Sequence, residues 1–172
     1  RLLHDQSFTY PVTKINNSAF SDYNTIREVF IPTSVSYIDN YAFWSCNNLS
    51  EVTASNDLKY IGEFAFSHID TLRRLINFDG VTHVDNYGFK NAAIQEFNFS
   101  NVNYLGAYSF ENTGLTSVTL PNSITNLSHS CFKDCSELTS ITFPDNITQL
   151  PEYIFENTGL TSVTLPNSIT NL

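Results

Sequence analysis

A chain of 172 residues with 41% hydrophobic and 14% aromatic side chains can bury a substantial core. Its formal charge of -9 and pI near 4.6 argue against nucleic acid or an anionic membrane as partner: neutralising phosphates takes clustered Lys and Arg, and the eight present are scattered singly apart from Arg73 and Arg74. No apolar run approaches the ~18–20 residues of a membrane span, and the N-terminal RLLHDQSF lacks the charged, apolar and small-residue regions of a signal peptide.

The segment Glu111 to Leu127, ENTGLTSVTLPNSITNL, recurs letter for letter as Glu156 to Leu172. Fixed-period self-similarity is the mark of a repeat array, and here the two copies are two shorter periods apart. Aligning on a recurring phenylalanine gives Phe20, Phe43, Phe66, Phe89, Phe110, Phe132 and Phe155, spaced by 23, 23, 23, 21, 22 and 23 residues. The phasing predicts 7 to 8 repeats of 22–23 residues in a single unit over 1–172. Residues 1–25 form a partial repeat, 26–114 divergent repeats and 115–172 consensus repeats, the last incomplete. With no Met and a stop in mid-repeat, the chain reads as a segment of a longer array.

Taken in chain order, each unit opens with an apolar frame. Examples are Ile26, Val29, Ile31 and Pro32, then Leu115, Val118, Leu120 and Pro121, then Leu138, Ile141, Phe143 and Pro144, then Leu160, Val163, Leu165 and Pro166. Alternation at period two predicts a short strand with one buried face, and proline, which has no amide hydrogen to donate, suits the corner just beyond it. A second apolar pair follows, as in Val35 and Ile38, Leu58 and Ile61, Val81 and Val84, Val102 and Leu105, Ile124 and Leu127, Ile147 and Leu150. A compact residue then precedes the phenylalanine (Ala19, Ala42, Ala65, Gly88, Ser109, Cys131), with Ile154 the exception. One repeat cannot bury its apolar edge alone, so stacked copies share a continuous core in which the phenylalanines form a ladder. Two units depart from the frame. Asn77 stands where an apolar residue is expected, predicting a bulge or shifted corner, and Val52-Thr53-Ala54 runs into polar residues 55–57 with no proline.

The pattern L-x-x-V-T-L-P-x-S-I-T-x-L followed by A-F-x-x-C resembles the BspA-type leucine-rich repeats, also called the treponemal class, over nearly the whole chain from about Leu3. Pro121-Asn122-Ser123-Ile124 stands where commoner leucine-rich repeats place Asn or Cys, which singles out this subclass. The resemblance implies a leucine-rich repeat solenoid: a curved, right-handed coil with a parallel β-sheet on one face and short strands, irregular segments or 3-10 turns on the other. It also implies a surface-exposed or secreted protein that binds a host or neighbouring-cell protein or glycan. A structural spacer, projecting something else and binding nothing itself, is the alternative.

No motif points to catalysis, a cofactor or a metal. Ser128-His129-Ser130-Cys131 matches no zinc-ligand spacing, and His4, His68 and His83 fall at other repeat positions. Cys46 and Cys135 share a repeat position but lie four turns apart, roughly 19 Å at ~4.8 Å per strand, whereas a disulfide requires Cα atoms within ~7 Å. Cys131 and Cys135 are close enough in sequence to pair, but inward or corner positions favour free, buried thiols. Five Asn-x-Ser/Thr sequons (Asn16, Asn48, Asn98, Asn126, Asn146) match the roughly four expected at random in so Asn-, Ser- and Thr-rich a chain.

The outward columns separate the two halves. One frame column reads Glu28, Glu51, Arg74, Glu96 and then Ser117, Ser140, Ser162, while its neighbour reads Phe30, Thr53, Ile76, Asn98 and then Thr119, Thr142, Thr164. On another edge Tyr37, Tyr60, His83 and Tyr104 give way to Asn126, Gln149 and Asn171, with Tyr41, Phe64, Tyr87 and Tyr108 four residues further on. Aromatic side chains suit contact surfaces, yet they equally pad a solenoid edge. Phe30 and Ile76 have no padding role, so the candidate contact set is Arg27, Glu28, Phe30, Glu51, Arg74, Ile76 and Glu96, with Tyr37, Tyr60, His83 and Tyr104 as a second band. The hydroxyls of Ser117, Thr119, Ser140, Thr142, Ser162 and Thr164 would form a flat array of the kind that meets ice or a crystal face.

Overall fold

The computed structural model describes residues 11–170. Each turn supplies two or three residues before its corner, so every strand is short: β1 (Lys14–Ile15), β2 (Glu28–Phe30), β3 (Tyr37–Ile38), β4 (Glu51–Thr53), β5 (Tyr60–Ile61), β6 (Arg74–Ile76), β7 (His83–Val84), β8 (Tyr104–Leu105), β9 (Ser117–Thr119), β10 (Asn126–Leu127) and β11 (Ser140–Thr142). All pairing is parallel and in repeat register, for example Val29 with Val52 and Ile38 with Ile61. The described residues contain no α-helix.

Two faces of the coil carry sheet, and they differ. The second apolar pair of each turn builds one continuous six-stranded sheet, β1-β3-β5-β7-β8-β10. The frame, where alternation is clearest in the sequence, is split into β2-β4-β6 and β9-β11. Six strands and six matched family copies make the array about six turns, fewer than the predicted 7 to 8. Toward the C-terminus the sequence of residues 162–164 keeps the frame spacing but the backbone forms no strand.

The core is the predicted ladder. Phe43, Phe66, Phe89, Phe110 and Phe132 are fully buried, and successive rings from Phe20 to Phe89 stack at 5.1–5.3 Å within 6° of parallel. Burial of each such side chain is worth roughly 1.5–3 kcal/mol. The residues two before and two after each of the seven aligned phenylalanines are left-handed, from Ser18 and Asp22 to Tyr153 and Asn157. This turns the amides at the flanking positions and at the phenylalanine itself toward the following turn: Ser18, Phe20 and Asp22 donate to the carbonyls of Asn40, Ala42 and Trp44 at 3.0, 2.8 and 2.8 Å. The compact residue ahead of each phenylalanine therefore offers its carbonyl to the turn before it. Left-handed Tyr41, Phe64, Tyr87 and Tyr108 are costly conformations for bulky side chains, held because this ladder over-determines them.

The split in the frame has a local cause. Asn77 is left-handed (φ 59°), as the expected shifted corner requires, and the next residue, Phe78, fills the interior. One turn later Phe97 and Phe99 stand where other frames carry Val and Leu, and the unit is only 21 residues long. Their rings meet Phe89 and Phe110 edge-on or tilted, at 5.0–5.6 Å, instead of stacking. No strand forms between residues 92 and 103.

Candidate interaction surface

On the frame face the strands bring most of the candidate set together. Register places Glu28, Glu51 and Arg74 in one row and Phe30, Thr53 and Ile76 in the next. Each row alternates with a buried centre, Val29 and Val52, so these side chains are forced outward. Phe30 is 55% exposed, and an apolar ring so displayed has no role in the core. The Arg74 guanidinium lies 2.8 Å from the Glu51 carboxylate across β4 and β6, and Arg27, beside β2, accepts the amides of Ser50 and Glu51 on its carbonyl. An exposed pair of this kind contributes about 0–1 kcal/mol to stability, so its charges remain available to a ligand. Glu96 is exposed but stands apart, because the interrupted turn takes it out of the sheet.

The aromatic band stacks instead of spreading. Tyr37, Tyr60, His83 and Tyr104 lie ring on ring at 4.1, 4.3 and 3.9 Å, and Lys14 sits 4.6 Å over the free face of Tyr37. The second ladder, Tyr41, Phe64, Tyr87 and Tyr108, is spaced at 5.0, 4.5 and 5.1 Å and ends edge-on against His129. Ring faces are thus spent on one another and only edges and hydroxyls point outward, the arrangement of a structural seam. Tyr60 donates its hydroxyl to Asp85 at 2.7 Å; burial, then this bond, pushes its pKa up. Burial keeps the His83 ring below its ordinary pKa, while the ammonium of Lys14 at 2.7 Å pulls the Asp39 carboxyl down.

The polar groups with chemical potential are enclosed. Cys46, Cys131 and Cys135 are free and buried, and Cys46 and Cys135 each donate to the carbonyl of the phenylalanine one turn back, Phe20 and Phe110, at 2.9 and 3.0 Å. Burial pushes the Cys131 thiol up to about 12. Ser67, against the Nδ1 of His68 at 2.7 Å, is fully buried and donates its hydroxyl to the Lys90 carbonyl at 2.9 Å. Among the described residues no group of three or more His, Cys, Asp or Glu side chains is placed to hold a metal ion, and no helix is long and apolar enough to cross a membrane. The hydroxyl array shrinks to two paired rows, Ser117 with Ser140 and Thr119 with Thr142, since residues 162–164 form no strand.

Parallel in-register stacking of short strands around a phenylalanine ladder defines a leucine-rich repeat solenoid. The chain belongs to the BspA-type leucine-rich repeat family, whose model matches residues 3–112 and 75–172 in six copies. It is similar in structure to a leucine-rich repeat protein of Bacteroides ovatus (22% identity, TM-score 0.70, covering 94% of this chain and 49% of that one). It is also similar to the leucine-rich repeat protein of T. pallidum (26% identity, TM-score 0.69, covering 84% and 68%) and to one of Eubacterium ventriosum (23%, TM-score 0.66, covering 78% and 36%). The chain spans about half the length of the Bacteroides protein. No curated protein matches it.

Proposed function

We propose that this chain is an interaction module of a cell-surface or secreted protein, and that it binds a protein or glycan of a host or neighbouring cell through the divergent half of the frame face. The observation that carries this reading is the row Phe30, Thr53, Ile76 beside the row Glu28, Glu51, Arg74. Strand register forces apolar and charged side chains out of the core at positions where the consensus turns present only Ser and Thr. A mixed patch with an exposed aromatic anchor is the composition that protein contact surfaces favour. Family membership supports the module reading, since solenoids commonly bind along an extended face.

The test separates a binding module from a spacer. Beads coated with the chain are compared, for adherence to cultured epithelial cells, with beads carrying a variant whose divergent frames are replaced by the consensus frame of Leu115 to Pro121. A binding module loses adherence with the fold intact by circular dichroism. A spacer adheres, or fails to adhere, equally in both forms.

A further inference from the structure

The two faces of the solenoid part company at the interrupted turn. On the aromatic side the ladder is unbroken: β7 pairs with β8, the Thr82 carbonyl accepts the amides of Asn103 and Tyr104 at 2.9 and 3.2 Å, and the Val84 carbonyl accepts that of Gly106 at 2.8 Å. On the frame side the same turns share almost no backbone bonding. Among the described residues the amides of Gln95 to Phe99 reach no acceptor, and the one bond to the following turn is Thr116 N–H to the Gln95 carbonyl at 3.3 Å. Side chains span the gap to the preceding turn instead: Asn98 and Asn101 donate to Asp79, both at 2.7 Å. A cleft of 310 Å³, lined by Leu75, Phe78, Glu96 and Phe97 among others, opens before the segment, and one of 490 Å³, reaching Ser117 and Thr119, opens after it.

We propose that residues 94–99 are a hinge, with the six-stranded aromatic sheet as the leaf that stays joined and the frame face as the side that opens and closes. Three independent features point the same way. The sheet is cut on one face only, so relative movement of the halves stretches few hydrogen bonds there and many on the other. On the frame side of the cut the interior is filled by Phe97 and Phe99, which meet Phe89 and Phe110 edge-on or tilted and so slide more readily than stacked rings, while Phe89 on Phe110 continues the column at 5.3 Å toward the side that stays joined. The aromatic stack Tyr60, His83, Tyr104 crosses the same level without interruption and holds the pivot. Hinge residues are the few that absorb backbone change between bodies held rigid by their own ladders, here β2-β4-β6 and β9-β11. Opening would alter the angle between the divergent and consensus halves of the frame face. This inference does not depend on the chain having a partner.

The test uses paired spin labels on exposed positions, the native thiols being buried. Glu28→Cys with Ser117→Cys spans the interruption on the frame face, and Ser36→Cys with Thr125→Cys spans the same turns on the aromatic face. Pulsed dipolar spectroscopy is expected to give a broader distance distribution for the frame pair than for the aromatic pair. Equal widths on the two faces, whether both narrow or both broad, or a wider spread on the aromatic face, would overturn the hinge.

Discussion

The imidazole of His83 lies 3.9 Å from the ring of Tyr104 with the planes 4° apart, while Tyr60 covers its other face at 4.3 Å. A histidine so enclosed folds as the neutral ring, and burial lowers its pKa from the ordinary value of 6.5. The native state then binds fewer protons than the unfolded chain as pH falls below that value, so stability is full above it and declines as pH drops toward the folded pKa. His83→Tyr, which supplies the residue found at 37, 60 and 104, should flatten the fall in melting temperature between about pH 7 and about pH 5. Some slope remains from His68, whose pKa burial also lowers. An unchanged slope in the variant would show that the stack does not exclude the charged ring.

Phe66 is fully buried and stacked between Phe43 and Phe89 at 5.1 and 5.3 Å. Phe66→Ala should cost about 3–5 kcal/mol by denaturant titration, because the parallel rungs on either side cannot close the cavity. Phe97→Ala should cost less, since Phe97 is only partly buried and meets its neighbours edge-on. Equal losses would contradict a core organised around the stacked column.

Gly62 and Gly106 each follow a turn whose asparagine caps the next one: Asn40 Oδ1 accepts the Glu63 amide at 3.0 Å and Asn86 Oδ1 the Ala107 amide at 2.8 Å. A Cβ on Gly106 would lie 2.5 Å from the Asn86 nitrogen and 2.7 Å from its Oδ1 and the Asp85 carbonyl carbon. Gly106→Ala should therefore lower the melting temperature, and adding Asn86→Ala should fail to restore it, because backbone atoms remain in the way. Full rescue would assign the constraint to the side chain alone.

The three thiols are fully buried, and burial holds each above its ordinary pKa. Iodoacetamide at about pH 8 should leave the native chain unmodified and label three sites once denaturant unfolds it, as read by intact mass. Rapid labelling of any one of them in the native state would contradict its placement in the core.

Much of this was legible in the sequence because a repeat places equivalent residues in columns. The phenylalanine ladder, the outward Glu28 and Phe30 rows and the column of Tyr37, Tyr60, His83 and Tyr104 all follow from register alone. Face-to-face stacking of that column did not, since a column fixes spacing and not ring orientation. The continuous sheet lies on the face with two-residue strands, too short to show alternation, whereas the clear frame alternation marks the broken one. Asn77 flagged the shifted corner. The larger break came one turn later from the bulk of Phe97 and Phe99, which a hydrophobic pattern scores as well-placed frame residues, and it removed Glu96 from the row in which it had been placed. Of the left-handed pair flanking each phenylalanine, the first position carries no signal, because Tyr and Phe have no preference for that conformation and tertiary hydrogen bonds impose it, whereas the second is Asn, Asp or His in six of seven cases, the side chains that favour it.

The most direct measurement of the proposed binding role is adherence of chain-coated beads to epithelial cells, made alongside thermal melting, for Phe30→Ala combined with Ile76→Ala. Both side chains lie on the outward row of the frame sheet, Phe30 exposed and Ile76 half-buried. The expected result is a several-fold loss of adherence with a melting temperature close to that of the parent chain. Undiminished adherence at an unchanged melting temperature would contradict binding through this face.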